Sequence, residues 1–192
     1  VTELGAELAE NDKLLVVVLP QPAGTAGMYD TGGYDWRAIG KAADIVMARS
    51  RRPDILKQSQ YGGVVSTLLT YALEKGRIQS AILTTRGDTF SPYGLEVWDS
   101  EGIAQCAGSR YTASGTLSAL NRALKQGHRQ VGVVGLPCQM TALARMGETW
   151  TDEDRENEPI AVKIGLFCTW ALDHRLFRRF LKERGLDNTA RR

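Results

Sequence analysis

Apolar positions along this chain follow two alternating rhythms. Short runs rich in Val, Ile and Leu read as strands: Lys13 to Leu19, Ile45 to Arg49, Ala81 to Thr84, Leu95 to Trp98, 130–134 and 160–165. Between them the spacing changes to that of helices. Residues 35–43 fit a short helix, and Val64, Val65, Leu68, Leu69, Ala72 and Leu73 recur on one helical face up to Gly76. Leu117, Leu120 and Leu124 mark a helix starting near Thr112 or Ser114 and closing at Gly127. Another follows Cys138 with Met140, Leu143 and Ala144, and the last carries Leu176, Phe177, Phe180 and Leu181 before Gly185. Residues 147–158 are acidic and polar and read as a surface loop. Strands alternating with helices predict an α/β fold, a mostly parallel sheet flanked by helices and built from successive βα units.

The organisation along the chain has one internal break, near 125–129. It separates a stretch at 38–127 from a cysteine-bearing stretch at 128–192, while Pro20, Pro22 and a Gly-Ala loop through Gly33 leave residues 1–37 unplaced. The chain begins at Val1 and ends in Asn-Thr-Ala-Arg-Arg directly after a helix, so the second stretch is expected to be truncated.

Composition narrows the class. The 192 residues include 24 Lys and Arg against 22 Asp and Glu, a net charge of +2 that gives no reason to expect nucleic acid. The basic clusters, Arg49 with Arg51 and Arg52, and Arg175 to Lys182, read as solvated faces. The longest apolar run, Leu14 to Leu19, is too short for a transmembrane segment. Three cysteines make a poor disulfide framework and suit a reducing compartment, so a cytoplasmic protein is expected.

The cysteines carry the strongest chemical signal. Gln-Val-Gly-Val-Val-Gly-Leu-Pro-Cys ends at Cys138, and Ala-Val-Lys-Ile-Gly-Leu-Phe-Cys ends at Cys168. Each is an apolar run that stops at Gly, followed by Leu, one further residue and Cys. The two thiols are 30 residues apart, the length of one βαβ unit. Parallel neighbouring strands with a right-handed crossover would place both at the carboxyl edge of one sheet, where open α/β sheets hold ligands. Pro137 suits the first helical position, so Cys138 falls in a first turn whose unpaired N–H groups favour negative charge. A single cysteine there is a common small buried residue; two in equivalent positions read as ligands or a redox pair. Cys106 stands outside the repeat and reads as a core residue.

Two loops add candidate binding residues. Gln60-Tyr61-Gly62-Gly63-Val64-Val65-Ser66 puts paired glycines at the mouth of a helix, either a tight turn or an opening for a phosphate or flat ring to reach backbone amides. On the second reading, a Cβ at Gly63 would obstruct the ligand without much disturbing the helix. Gly108-Ser109-Arg110-Tyr111 gathers a hydroxyl, a cation and an aromatic before another helix. His128 and His174 show no metal-ligand spacing, and no G-x-G-x-x-G, P-loop or G-x-S-x-G is present.

These four motifs, ending with Gly135-Leu136-Pro137-Cys138-Gln139 and Gly165-Leu166-Phe167-Cys168, stand in an order and spacing that resemble the beta subunits of coenzyme F420-reducing hydrogenases. The same family includes formate dehydrogenase beta subunits and the chlorophyll-cycle hydroxymethyl reductase. The similarity covers residues 38–186. It implies an iron–sulfur flavoprotein subunit that passes electrons between a [4Fe–4S] cluster and FAD. A hydride acceptor such as coenzyme F420 is the implied substrate, and redox subunits of a hydrogenase or formate dehydrogenase are the implied partners. Carried over by position, Cys138 and Cys168 would be cluster ligands, and Gly62, Gly63, Ser66, Ser109 and Tyr111 would lie around the flavin. The family supplies a further Cys-x-x-Cys pair that this chain lacks, and Cys106 would offer at most a third thiol. Two other readings stand beside this one: a cofactor-free fragment or interaction module that keeps the fold, and, ranked below it, a thiol enzyme using Cys138 without an evident His or Asp partner.

Overall fold

The computed structural model describes residues 48–87, 91–152, 159–168 and 171–186, and the backbone of Leu15 and Val16. The helix expected at 35–43, the strand expected at Ile45 to Arg49 up to residue 47, and most of the strand expected at Lys13 to Leu19 lie outside those residues. Ala48 and Arg49 belong to no regular element.

Five strands form one sheet: β1 (Leu15–Val16), β2 (Ser80–Thr85), β3 (Tyr93–Val97), β4 (Val131–Gly135) and β5 (Ile160–Gly165), in the order β1-β5-β4-β2-β3. The pairings β1–β5, β5–β4 and β4–β2 are parallel, and β3 runs antiparallel to β2 with Ala81 opposite Val97 and Thr85 opposite Tyr93. The expected α/β fold with a mostly parallel sheet is therefore the fold observed.

Strand residues alternate between two helical layers, because successive side chains point to opposite faces of a sheet. Ala81, Leu83, Val134, Val162 and Ile164 pack with Leu68, Leu69 and Ala72 of α2 (Val64–Glu74) and Ile103 of α3 (Ser100–Gln105). Ile82, Val131, Val133 and Ile160 pack with Ala119, Leu120 and Ala123 of α4 (Thr116–Lys125) and Leu143 of α5 (Pro137–Glu148). Two further helices are α1 (Pro53–Gln58) and α6 (His174–Glu183).

Several boundaries differ from the sequence reading. Both α1 and α3 are six residues long with one buried residue each, Ile55 and Ile103; an element that short presents no second turn of apolar spacing. Their end signals are visible all the same: Pro53 sits at the first turn of α1, and the Asp99 carboxylate caps α3 by accepting from the Gly102 N–H at 2.7 Å. The helix α4 starts at Thr116, because Ser114 and Thr116 turn their hydroxyls to Thr84 at 3.0 and 2.8 Å. The polar stretch expected as loop from 147 begins inside α5, which runs to Glu148.

Candidate functional site

The chain folds a cleft of about 510 Å³ against the carboxyl ends of β2, β4 and β5, with Leu83, Thr84, Val134, Gly135 and Leu166 in its wall. That edge is where open α/β sheets bind ligands, and the volume lies in the range of small-molecule and cofactor sites. Its floor is the apolar core itself: Leu69, Leu83, Ile103 and Val134.

The candidate residues Gly62, Gly63, Ser66, Ser109, Tyr111 and Cys168 all line this one cleft. Gly62 to Ser66 form the entry to α2, whose first turn carries no side-chain cap. Its opening N–H groups therefore lack the usual side-chain acceptor. On the other side, Leu172 N–H donates to the Tyr111 carbonyl at 2.7 Å and Ala113 N–H to the Leu172 carbonyl at 3.2 Å. This pairing ties the 111–113 segment to the chain that follows β5.

The glycines also serve the turn itself. Gly63 has φ +68°, the left-handed region, and a Cβ there would stand 2.6 Å from Ser59 Oγ and 2.9 Å from Ile55 Cγ2. A Cβ on Gly62 would meet the Ala48 carbonyl oxygen at 3.2 Å. Both face the chain at 48–59, so the expectation that a Cβ at 63 would leave the helix little disturbed is corrected. The two glycines let the turn pack against α1, and what they offer the cleft is backbone.

The cysteine pair is placed as its repeat foretold. Gly135 of β4 is in register with Gly165 of β5, so Cys138 and Cys168, each three residues farther on, leave the sheet at the same edge. They are not equivalent towards the cleft: Cys168 lines it, whereas Cys138, in the first turn of α5, is exposed and outside the lining. Among the described residues no three His, Cys, Asp or Glu side chains are grouped to hold a metal ion. The donors present thus do not make a four-cysteine cluster site. Cys106 is buried in the α2–α3 core and also reaches the cleft wall. Burial pushes its thiol pKa up, partly offset by a hydrogen bond with Thr85 and the charge of Arg110.

Three residues inside the sequence motifs shape the site in ways their motifs did not specify. Gln60 Oε1 accepts from the Ser109 N–H at 2.8 Å, and its Nε2 donates to the Tyr111 hydroxyl at 3.3 Å, bracing the α2 turn to the 108–111 loop across the cleft mouth. Gln139 accepts from the Leu136 N–H at 2.9 Å and donates to the Ser114 carbonyl at 3.2 Å, fixing the start of α5 to the loop before α4. Arg110 donates from Nη1 to the Ser109 carbonyl and from Nη2 to the Ala107 carbonyl, both at 3.1 Å. The motifs named these residues, but not the partners that the tertiary structure gives them. His128 and His174 stand outside the lining; His128 pairs with Glu96 at 3.0 Å and His174 with Ser91 at 2.9 Å.

Fold and site together define an α/β domain with a cleft at the carboxyl edge of its sheet. Residues 45–121 match the N-terminal model, and residues 128–190 the C-terminal model, of the family described as coenzyme F420 hydrogenase/dehydrogenase, beta subunit. The chain belongs to the coenzyme F420 hydrogenase/dehydrogenase beta-subunit family. It is 36% identical over 133 residues to coenzyme F420 hydrogenase subunit beta of Methanosarcina barkeri, covering 68% of this chain and 45% of that protein. The same-named subunit of Methanothermobacter thermautotrophicus is 31% identical over 149 residues, covering 76% of this chain and 53% of the relative. The coenzyme F420-dependent sulfite reductase of Methanocaldococcus jannaschii is 34% identical over 142 residues, 68% of this chain and 22% of that one. Among solved structures, a chain of the F420-reducing [NiFe] hydrogenase complex from Methanosarcina barkeri superposes with a TM-score of 0.63 at 31% identity, covering 70% of this chain and 47% of that one. The chain spans about half the length of these two hydrogenase subunits.

Proposed function

We propose that the cleft is a flavin site and that the chain is a redox subunit, exchanging electrons between partner iron–sulfur subunits and a hydride-accepting small molecule such as coenzyme F420. The observation that carries this reading is the convergence of the α2 entry, the 108–111 loop and Cys168 on one cleft of about 510 Å³ at the carboxyl edge. Names of the relatives support the substrate class: two are F420 hydrogenase beta subunits and one is an F420-dependent sulfite reductase.

The donor set fits FAD. Its apolar floor suits a flat ring, and among the described residues no Asp or Glu lines the cleft to repel a pyrophosphate. In this assignment the backbone at Gly62 and Gly63, the Ser66 and Ser109 side chains and the Tyr111 ring surround the cofactor. A bound flavin joins one-electron iron–sulfur chemistry to two-electron hydride chemistry. The chain's own part is to hold it: the core under Leu69 and Val134 excludes water, and the Gln60 brace keeps the mouth at one width. For a [4Fe–4S] cluster, which takes four cysteines, Cys138 and Cys168 would supply two ligands. The rest must come from beyond the described residues, and partner subunits of hydrogenase or formate dehydrogenase type are the proposed neighbours.

A visible spectrum of the anaerobically purified chain tests the flavin assignment. The expected result is a band near 450 nm at about one flavin per chain. A colourless protein that takes up no added flavin would overturn it in favour of a cofactor-free interaction module.

A further inference from the structure

Three aromatic residues stand exposed in the lining of the cleft: Tyr61 at 77%, Phe167 at 62% and Tyr111 at 54% of their full accessible surface. A single exposed apolar side chain is ordinary on a protein surface, but several gathered on one concavity mark a place where something binds. These come from three separate segments: the turn before α2, the 108–111 loop and the residues that follow β5. The lining thus changes from buried aliphatic side chains at Leu69, Leu83 and Val134 to exposed aromatic ones.

The aromatic rim is held in place. Gln60 Nε2 lies 3.3 Å from the Tyr111 hydroxyl and 3.5 Å from the Tyr61 hydroxyl, so one amide joins the two phenols. Phe167 follows Leu166, whose N–H donates to the Gly135 carbonyl at 2.8 Å and fixes the point where this segment leaves the sheet. Side chains positioned in advance lose little freedom on capturing a ligand. Aromatic faces and edges suit another ring, by offset or edge-on stacking, and a concave setting is that of a small-molecule site.

We propose that Tyr61 and Phe167 form a second ring subsite at the mouth, which takes the fused-ring part of the hydride acceptor while the flavin keeps to the apolar floor. The proposal rests on the reading of the cleft as a flavin site and names the side chains that choose its substrate. Tyr111, assigned above to the flavin, shares the Gln60 amide with Tyr61, so the two subsites adjoin. Adjoining subsites bring two flat rings into the contact that passing a hydride from the reduced ring to the oxidised one requires. Selection is by ring area more than by charge, since among the described residues no Asp, Glu or Lys lines the cleft.

The test is a calorimetric titration of the FAD-saturated chain with oxidised coenzyme F420. Tyr61→Ala and Phe167→Ala are each expected to weaken F420 binding by about tenfold, the effect of one lost ring contact, with FAD bound per chain unchanged. Tyr61→Phe and Phe167→Tyr keep a ring and should keep the affinity. Both positions are exposed, so the alanine variants are expected to fold, and their melting temperatures check that. No F420 binding by the unaltered chain would overturn the proposal. So would equal F420 affinity in the alanine variants, which marks the rim as a face for a protein partner, or a joint loss of FAD and F420, which marks a single ring site. If the chain takes up no FAD, the flavin assignment fails separately, and the same titration on the flavin-free chain decides the matter. Weakening by both alanine variants, with affinity kept by the aromatic ones, would uphold ring capture at the mouth, and unchanged binding would end it.

Discussion

A glycine with φ near +68° and its missing Cβ aimed at Ser59 and Ile55 is a structural requirement at a single residue. Gly63→Ala would meet left-handed backbone strain and a close contact together, so a stability loss of about 1–3 kcal/mol is expected. Because that Cβ is aimed at Ser59 and Ile55, the flavin bound per folded chain should stay as it was. Urea unfolding and flavin content of the same preparation check both halves. A fully stable variant that had lost flavin would return Gly63 to the role of a backbone contact for the ligand. At this scale the motif was legible as a turn into a helix, whereas the direction of the absent Cβ was not, since it depends on where α1 packs.

Among elements, α6 shows how far one cap can govern a helix. Asp173 accepts from the N–H groups of Arg175 and Leu176 at 2.9 and 3.0 Å. The Leu176 hydrogen bond above all, with that of Arg175 and its charge, holds the Asp173 carboxyl below the usual carboxylate range. A lowered folded pKa contributes stability that is complete above the unfolded value and lost as pH falls through the folded one. The amides of Arg175 and Leu176 should therefore lose hydrogen-exchange protection as the pH is lowered through the carboxylate range. Asp173→Asn keeps a capping oxygen without the titration, and its protection should be flat across the same range. Equal pH dependence in both chains would show that another group governs this end of α6. The helix was foreseen from Leu176, Phe177, Phe180 and Leu181, yet only Leu181 of these is buried, and Leu176 is 68% exposed. Periodicity reports which side chains share a face, not what covers it.

For the whole molecule, the decisive arrangement is the parallel-paired strands β2, β4 and β5, whose carboxyl ends gather residues from sequence positions 48 to 171. It brings Cys138 and Cys168 to one edge but groups no third metal ligand with them among the described residues. The 192-residue chain, reconstituted anaerobically with iron and sulfide, is accordingly expected to retain little stable cluster, and a partner contributing a Cys-x-x-Cys segment should restore it. Iron analysis showing about four irons per chain, the content of a [4Fe–4S] centre, would mean that further ligands lie outside the described residues. Among those described, no helix is long and apolar enough to cross a membrane.

The α/β class, the positions of β4, β5 and α2, and the equivalence of the two cysteine turns were decided by local pattern. Apolar spacing follows directly from which backbone geometry can bury those side chains, and the repeated Gly-Leu-x-Cys endings follow from two strands finishing in register. Tertiary structure alone decided that Cys168 lines the cleft while Cys138 is exposed outside it, and that Gln60 reaches Ser109 and Tyr111. Those facts depend on how loops about fifty residues apart in sequence, 60 and 109 to 111, meet over the sheet edge. No local preference encodes such a meeting; it arises when the two helical layers close on opposite faces of the sheet and leave the carboxyl ends between them open.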